Sequence, residues 1–299
     1  MRIEEAIALV WPGEEVRTEV LGGGITNHNH KVTRADGDVC VLRIAGTATG
    51  LLGIDRSVEH EASLAAASVG VGPEVIAFLE REGILVTRFI PGKVVPVERM
   101  REPEVARRVA GALRVVHGGP PLPGRFNSFR VVDDYRTVAF AHGADVPAGY
   151  AGARQVARRI ELARGAVPER PCHNDLLNAN FIDDGERIRI VDWEYAGMGD
   201  VFFDLANFTV NHGLDADERR AFLEAYFGTI SPADEHALEL MRYMSDFREA
   251  MWGVVQGAVS ELDFDFAGYA AEHFERLERT AASAPFLTAL GSTQASPFQ

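Results

Sequence analysis

The sequence has 299 residues and carries 30 basic against 44 acidic side chains, a net charge of -14 that disfavours nucleic acid and anionic membranes as partners, because both are polyanions. With 46% hydrophobic and 25% charged residues and no apolar run near the ~20 residues of a membrane span, the chain reads as soluble, and its length implies two lobes rather than one small core. Two cysteines, Cys40 and Cys172, are too few for a disulfide framework or a thiolate metal site, so both are expected as buried, reduced thiols.

The opening MRIEEAIALVWPGEE sets acids within a short apolar patch and lacks the cationic start and cleavage site of a signal peptide, so a cytoplasmic protein is expected. Three strand-like runs follow: VRTEVL, then HNHKVT after a glycine cluster, then VCVLRI after the turn ADGD. They predict an antiparallel sheet. Residues 55–69 are alanine-rich and polar on one side, which predicts a helix capped by Asp55. VIAFLE and ILVTRFI, with REG between them, predict a further strand pair. From Pro91 onward the pattern is helical, with candidates at 102–117, 152–165, 216–228 and 234–258, interrupted by the hairpin NFIDDGERIRIVD turning at Asp183-Asp184-Gly185. The last residues are uncharged and rich in small side chains, and a loosely held tail is expected there.

The strongest chemical signal is His173-Asn174-Asp175-Leu176-Leu177-Asn178-Ala179-Asn180, followed after the hairpin by Asp192-Trp193-Glu194. An aspartate five residues before an asparagine, with a second aspartate closing a hairpin, is the spacing of a kinase catalytic loop and its metal-binding segment. Asn180 opening one strand and Asp192 closing the next would return both side chains to one end, where one magnesium ion can touch both. Phosphoryl transfer needs positioning, charge cancellation and an acceptor for the hydroxyl proton. Asp175 suits the last role, the oxygen ligands of Asn180 and Asp192 suit Mg2+, and His173 is expected to brace the loop. A zinc hydrolase built on His173, Asp175 and Asp192 lacks further histidines at ligand spacing.

These segments, HNDLLNAN and VDWEYAGMGDVFFDLAN, resemble the choline and ethanolamine kinases within the aminoglycoside-phosphotransferase superfamily, and the resemblance extends over most of the chain. It implies an α+β, bilobal protein-kinase-like fold, with an N-terminal antiparallel sheet carrying one helix and a larger, mainly helical C-terminal lobe. The implied division is 1–90 for the nucleotide-binding lobe, 91–281 for the catalytic and acceptor-binding lobe, and 282–299 for the tail. The implied cofactors are ATP and Mg2+. By resemblance Asp175 is catalytic, Asn180 and Asp192 hold the metal, and Glu194 matches the choline-kinase form of its segment. Asp204 would tie down the catalytic loop.

In the first lobe, Gly23, Gly24, Thr26 and Asn27 of the glycine cluster lie where bare amides can approach phosphates. Arg43 stands at the family's phosphate-binding position with a helix glutamate as partner, Glu59 by spacing and Glu61 as the runner-up. In the connector, the backbone of Arg88 and Ile90 would hydrogen-bond adenine. The stretch FREAMWGVVQGAVSELDFDFAGYAAEHFERL resembles the family at Trp252, Gln256, Ser260, Phe264 and Tyr269, and with Tyr195 its aromatics would box a quaternary ammonium. One departure stands out: a family tryptophan is Glu249 here, which either counter-charges an ammonium or leaves the box incomplete. The expected partner is therefore a small-molecule acceptor, a cationic amino alcohol such as choline or ethanolamine. A kinase of another hydroxylated metabolite or an aminoglycoside stays open, as do a nucleotide-binding pseudokinase and homodimerisation.

Overall fold

Alternation along the third strand shows how the small lobe is built. In the computed structural model, which describes residues 1–22, 27–46 and 49–292, strand Val39–Ala45 buries Cys40, Leu42 and Ile44 on one face and turns Arg43 to the other, as the two-residue period of a strand requires. The apolar face packs with Val32, Ile84 and Val86 against Ala6 and Trp11, the latter two from helix α1 (Ile3–Val10) and the residue after it. The sheet comprises β1 (Val16–Leu21), β2 (Asn27–Arg34), β3 (Val39–Ala45), β4 (Val75–Leu79) and β5 (Ile84–Arg88), all antiparallel in the order β1-β2-β3-β5-β4. Helix α2 (Arg56–Ser68) lies between β3 and β4. The Asp55 carboxylate caps it, accepting from the N–H groups of Ser57 and Val58. Its buried residues Glu59, Ala62, Ser63 and Ala66 repeat at helical spacing. Ala62 and Ala66 belong to the same hydrophobic cluster as the helices of the second lobe.

After the connector, β6 (Lys93–Val94) pairs with β8 (Phe181–Asp183), and β8 with β9 (Ile188–Ile190). Gly92 permits that pairing, since a Cβ there would lie 2.6 Å from the Asp183 carbonyl oxygen. The second lobe adds α3 (Pro103–His117), α4 (Ser128–Ala141), α5 (Tyr150–Arg164), β7 (Arg170–Cys172) paired with β10 (Gly197–Gly199), α6 (Val201–Asn211), α7 (Ala216–Phe227), α8 (Pro232–Val259), α9 (Phe266–Ala282) and α10 (Ala284–Ser292). The 28-residue α8, about 42 Å long, is the axis of this lobe, buried on most sides by α4, α6, α9 and α10. Among the described residues no helix is long and apolar enough to cross a membrane, and Cys40 and Cys172 are buried free thiols.

Several expectations need correction. The stretch read as a loose tail from 282 forms α10 as far as Ser292, because Phe286, Ala289 and Leu290 fall on one helical face and are buried. Residues 293–299 lie outside the described residues, as do Gly23, Gly24 and Thr26. Asn180 does not open a strand: it ends the single helical turn Asn178–Asn180 just before β8.

Candidate active site

The catalytic-loop segment is held by one face of α6. Asp204, Asn207 and Asn211 follow the spacing i, i+3, i+7 and so project together. The Asp204 carboxylate accepts from the backbone N–H of His173 and of Asn174, both at 2.7 Å, and meets His117 Nε2 at 3.0 Å. Asn207 Oδ1 accepts from Leu176 N at 2.6 Å, and Asn211 Nδ2 donates to Leu176 O at 3.2 Å. The loop backbone is buried, and an unmet donor there would cost ~1–3 kcal/mol. Asp204 was legible in the sequence; Asn207 and Asn211 were missed, although their spacing from Asp204 carried the signal.

His173 does brace the loop. It accepts the Asp175 N–H at Nδ1 (3.2 Å) and donates from Nε2 to the Val191 carbonyl (3.0 Å), and burial lowers its basicity. Among the described residues only Asn174 and Asp192 are non-glycine residues with positive φ, each at 67°. Such backbone is uncommon outside glycine, and both examples sit at this site.

Asn180 and Asp192 arrive side by side, since Val191 N donates to Asn180 O at 3.0 Å. Asn180 Nδ2 donates to the Asp175 carbonyl at 2.9 Å, so its amide oxygen is the end left to meet a metal. Oxygens of Glu59, Asp192 and Glu194 gather within 4.8 Å of one another. Burial, with Glu194 and Glu59 alongside, pushes the Asp192 carboxyl well above its ordinary range. Crowded carboxylates plus an amide oxygen form a hard-oxygen donor set, so the residues present fit Mg2+.

Two arginines enter this cluster. Arg43 makes an ion pair with Glu59 and donates from Nη1 to Asp192 Oδ1 at 3.1 Å. Glu61, the other sequence choice, is exposed beside His60. Arg56 was missed: it bonds Glu59 (2.7 Å), Glu194 (3.2 Å) and the Asn27 side chain (3.0 Å), while Asn27 Nδ2 donates to Glu194 at 2.9 Å. Its signal was its place three residues before Glu59, on the same helical face.

In the connector the Arg88 N–H is donated to the Glu74 carbonyl at 2.8 Å, and its side chain pairs on the surface with Glu74 and Asp38. Ile90 is buried beside it.

On the far side of Asp175 the aromatic residues assemble around α8. Trp252 Nε1 donates to the Tyr195 hydroxyl at 3.1 Å, and its ring meets that of Tyr269 at 5.6 Å. Phe264, half-exposed at the rim, lies 6.1 Å from Tyr269. A Cβ at Gly253 would stand 3.0 Å from the Tyr269 ring, so glycine lets α9 approach there. Glu249 lies in this cluster, receiving the Tyr269 hydroxyl at 2.9 Å. Arg248 Nη1 pairs with its Oε1 at 2.6 Å, so the carboxylate is not an unbalanced negative charge. Arg248 also reaches Asp175 Oδ1 at 3.4 Å. Burial pushes the Asp175 carboxyl up to about 7, against the pull of Arg248.

A two-lobed fold with a braced aspartate between a carboxylate cluster and a group of packed aromatic rings fits a small-molecule phosphotransferase. Residues 17–241 match the sequence profile described as "Phosphotransferase enzyme family", and the chain belongs to that family. A choline/ethanolamine kinase family protein of Mesorhizobium loti is 32% identical, with 99% of this chain and 100% of that one covered at a TM-score of 0.84. Ethanolamine kinase 2 of Mus musculus is 29% identical over 299 residues, covering 89% of this chain and 76% of the relative. Choline kinase LicA of Streptococcus pneumoniae, at 24% identity, shares the fold with a TM-score of 0.80 over 94% of this chain and 97% of that one.

Proposed function

We propose that the protein transfers the γ-phosphoryl group of ATP, with Mg2+, to the hydroxyl of choline, ethanolamine or a related amino alcohol. The observation that carries this reading is the position of Asp175. It lies in a loop braced by α6, beside Asn180 and the carboxylate cluster on one side and Arg248, Glu249 and the aromatic rings on the other. A hydroxyl bound among the rings would reach the Asp175 carboxylate, which orients it and takes its proton as the new bond forms. A carboxyl pushed to about 7 holds a proton more readily than an ordinary aspartate, which suits that task.

Arg43, fixed by Glu59, presents a planar fork of donors to the phosphate oxygens. Asn180 and Asp192 would hold Mg2+, which when bound cancels negative charge on the phosphates. Trp252, Tyr195 and Tyr269, packed together beside Asp175, would limit water as a competing acceptor. The relatives named ethanolamine kinase and choline/ethanolamine kinase family protein support the amino-alcohol class.

The deciding experiment is ATP consumption with Mg2+ against a panel of hydroxylated amines, sugars and aminoglycosides. Ethanolamine or choline is expected to stimulate turnover most. A sugar or aminoglycoside as the preferred acceptor would replace the amino-alcohol reading. Nucleotide binding with no stimulation by any compound would replace catalysis with a binding role.

A further inference from the structure

Inside the aromatic cluster, α8 carries a cation that a simple cation-binding box does not need. Arg248 is 1% exposed, and its guanidinium carbon lies 4.4 Å from the centre of the Tyr195 ring. Nη1 serves both Glu249 at 2.6 Å and Asp175 at 3.4 Å. The protein's own cation therefore stands among a ring face, a carboxylate and the catalytic-loop aspartate, which is the seat that a small ammonium substrate would seek. Apart from the neighbouring Tyr135 side chain, Nε and Nη2 meet no hydrogen-bond acceptor among the described residues. A guanidinium has five N–H donors, and burying it with carboxylate partners at Nη1 alone gives the fold less than a well-packed apolar side chain would.

We propose that Arg248 sets acceptor specificity, disfavouring quaternary ammonium groups and leaving a pocket for a primary amino alcohol held by hydrogen bonds. This rests on the kinase reading above. A quaternary ammonium has no donors, so it depends on open ring faces and unbalanced negative charge. Arg248 covers one face of Tyr195 and balances Glu249. A primary ammonium brings three N–H donors and can use oxygens that remain: Glu249 Oε2, which receives the Tyr269 hydroxyl at 2.9 Å, and the Tyr195 hydroxyl, which accepts from Trp252. Both oxygens keep acceptor capacity.

The test compares kcat/KM for ethanolamine and choline, at saturating ATP, in the wild type, Arg248→Leu and Arg248→Gln. The wild type is expected to favour ethanolamine. Either substitution uncovers Tyr195 and frees Glu249, so the choline-to-ethanolamine ratio should rise roughly thirtyfold, the size of one desolvated cation-π contact, with KM for ATP unchanged. A wild type that favours choline, or variants that leave the ratio where it was, overturns the role of Arg248 and leaves the kinase reading standing. If circular dichroism shows that neither variant folds, the guanidinium is structural and the proposal falls. A wild type that uses neither amine yet phosphorylates another acceptor overturns the amino-alcohol reading and this proposal together.

Discussion

At the scale of single residues, the site separates two aspartates by what surrounds them. Asp175 touches Arg248 and faces the rings, whereas Asp192 sits among Arg43, Glu59 and Glu194. Asp175→Ala should abolish turnover while Mg-ATP still binds with near-normal affinity. Asp192→Ala should also abolish turnover, but with weak nucleotide binding that no longer responds to Mg2+. Calorimetric titration of both variants checks the pair, and an Asp175 variant that keeps substantial turnover would remove it from catalysis. Arg43→Ala should lower kcat by orders of magnitude, with partial recovery in Arg43→Lys, because lysine keeps the charge and loses the fork. Steady-state ATP kinetics read this directly; unchanged values for Arg43→Ala would restrict the arginine to bridging Glu59 and Asp192.

The residues legible in the sequence were those whose chemistry depends on short spacing: Asp175 and Asn180 in one loop, Asp192 at the hairpin end, Arg43 on its strand. Arg56 and Arg248 were not legible. Each is a charged residue beside another charged residue on a helix, a pattern that usually marks a solvated face, and only tertiary packing turns these two inward. Glu249 was seen, but not that its neighbour in sequence, Arg248, would be its partner in space.

At the scale of elements, the antiparallel strands β1 to β5 and helix α2 were readable from alternation, turn residues and the Asp55 cap. Helix α6 escaped because VFFDLANFTVN is apolar around most of its circumference and so lacks the broad, charged, solvent-facing side that marks an amphipathic helix. Helix α10 escaped for another reason. Its lack of charge looked like disorder, yet the absence of charge is what lets Phe286 and Leu290 pack, at 1% and 2% exposure, against the helices of the second lobe. Phe286→Ala should therefore destabilise the protein by about 3–5 kcal/mol, as large-to-small changes in a filled core do. Denaturant unfolding measures it; a loss under about 1 kcal/mol would mean that α10 is only loosely attached.

At the scale of the whole molecule, the two lobes meet through charge as well as through the apolar contacts of α2. Arg56 gathers Asn27 and Glu59 of the first lobe and Glu194 of the second, while Arg43 joins Glu59 to Asp192. Removing one member of a buried network leaves its partners charged and unpaired, which costs about 3–5 kcal/mol, whereas replacing a whole network can be neutral. Arg56→Met should thus lower the melting temperature and raise KM for ATP together, because the same side chain holds both the lobe contact and the shape of the nucleotide side of the cleft. Mg-ATP at about 100 times its dissociation constant adds ~2.7 kcal/mol of stability to a protein that binds it only when folded. That increment should survive in Arg56→Met once the nucleotide concentration is scaled to the weaker affinity. It should vanish when EDTA removes Mg2+, because Asp192 and its neighbouring carboxylates then repel the phosphates. Thermal unfolding of wild type and variant with ATP, Mg-ATP and Mg-ATP plus EDTA reads all three effects. An Arg56→Met protein with wild-type stability and wild-type KM for ATP would show that Arg56 holds neither the lobe contact nor the nucleotide side of the cleft.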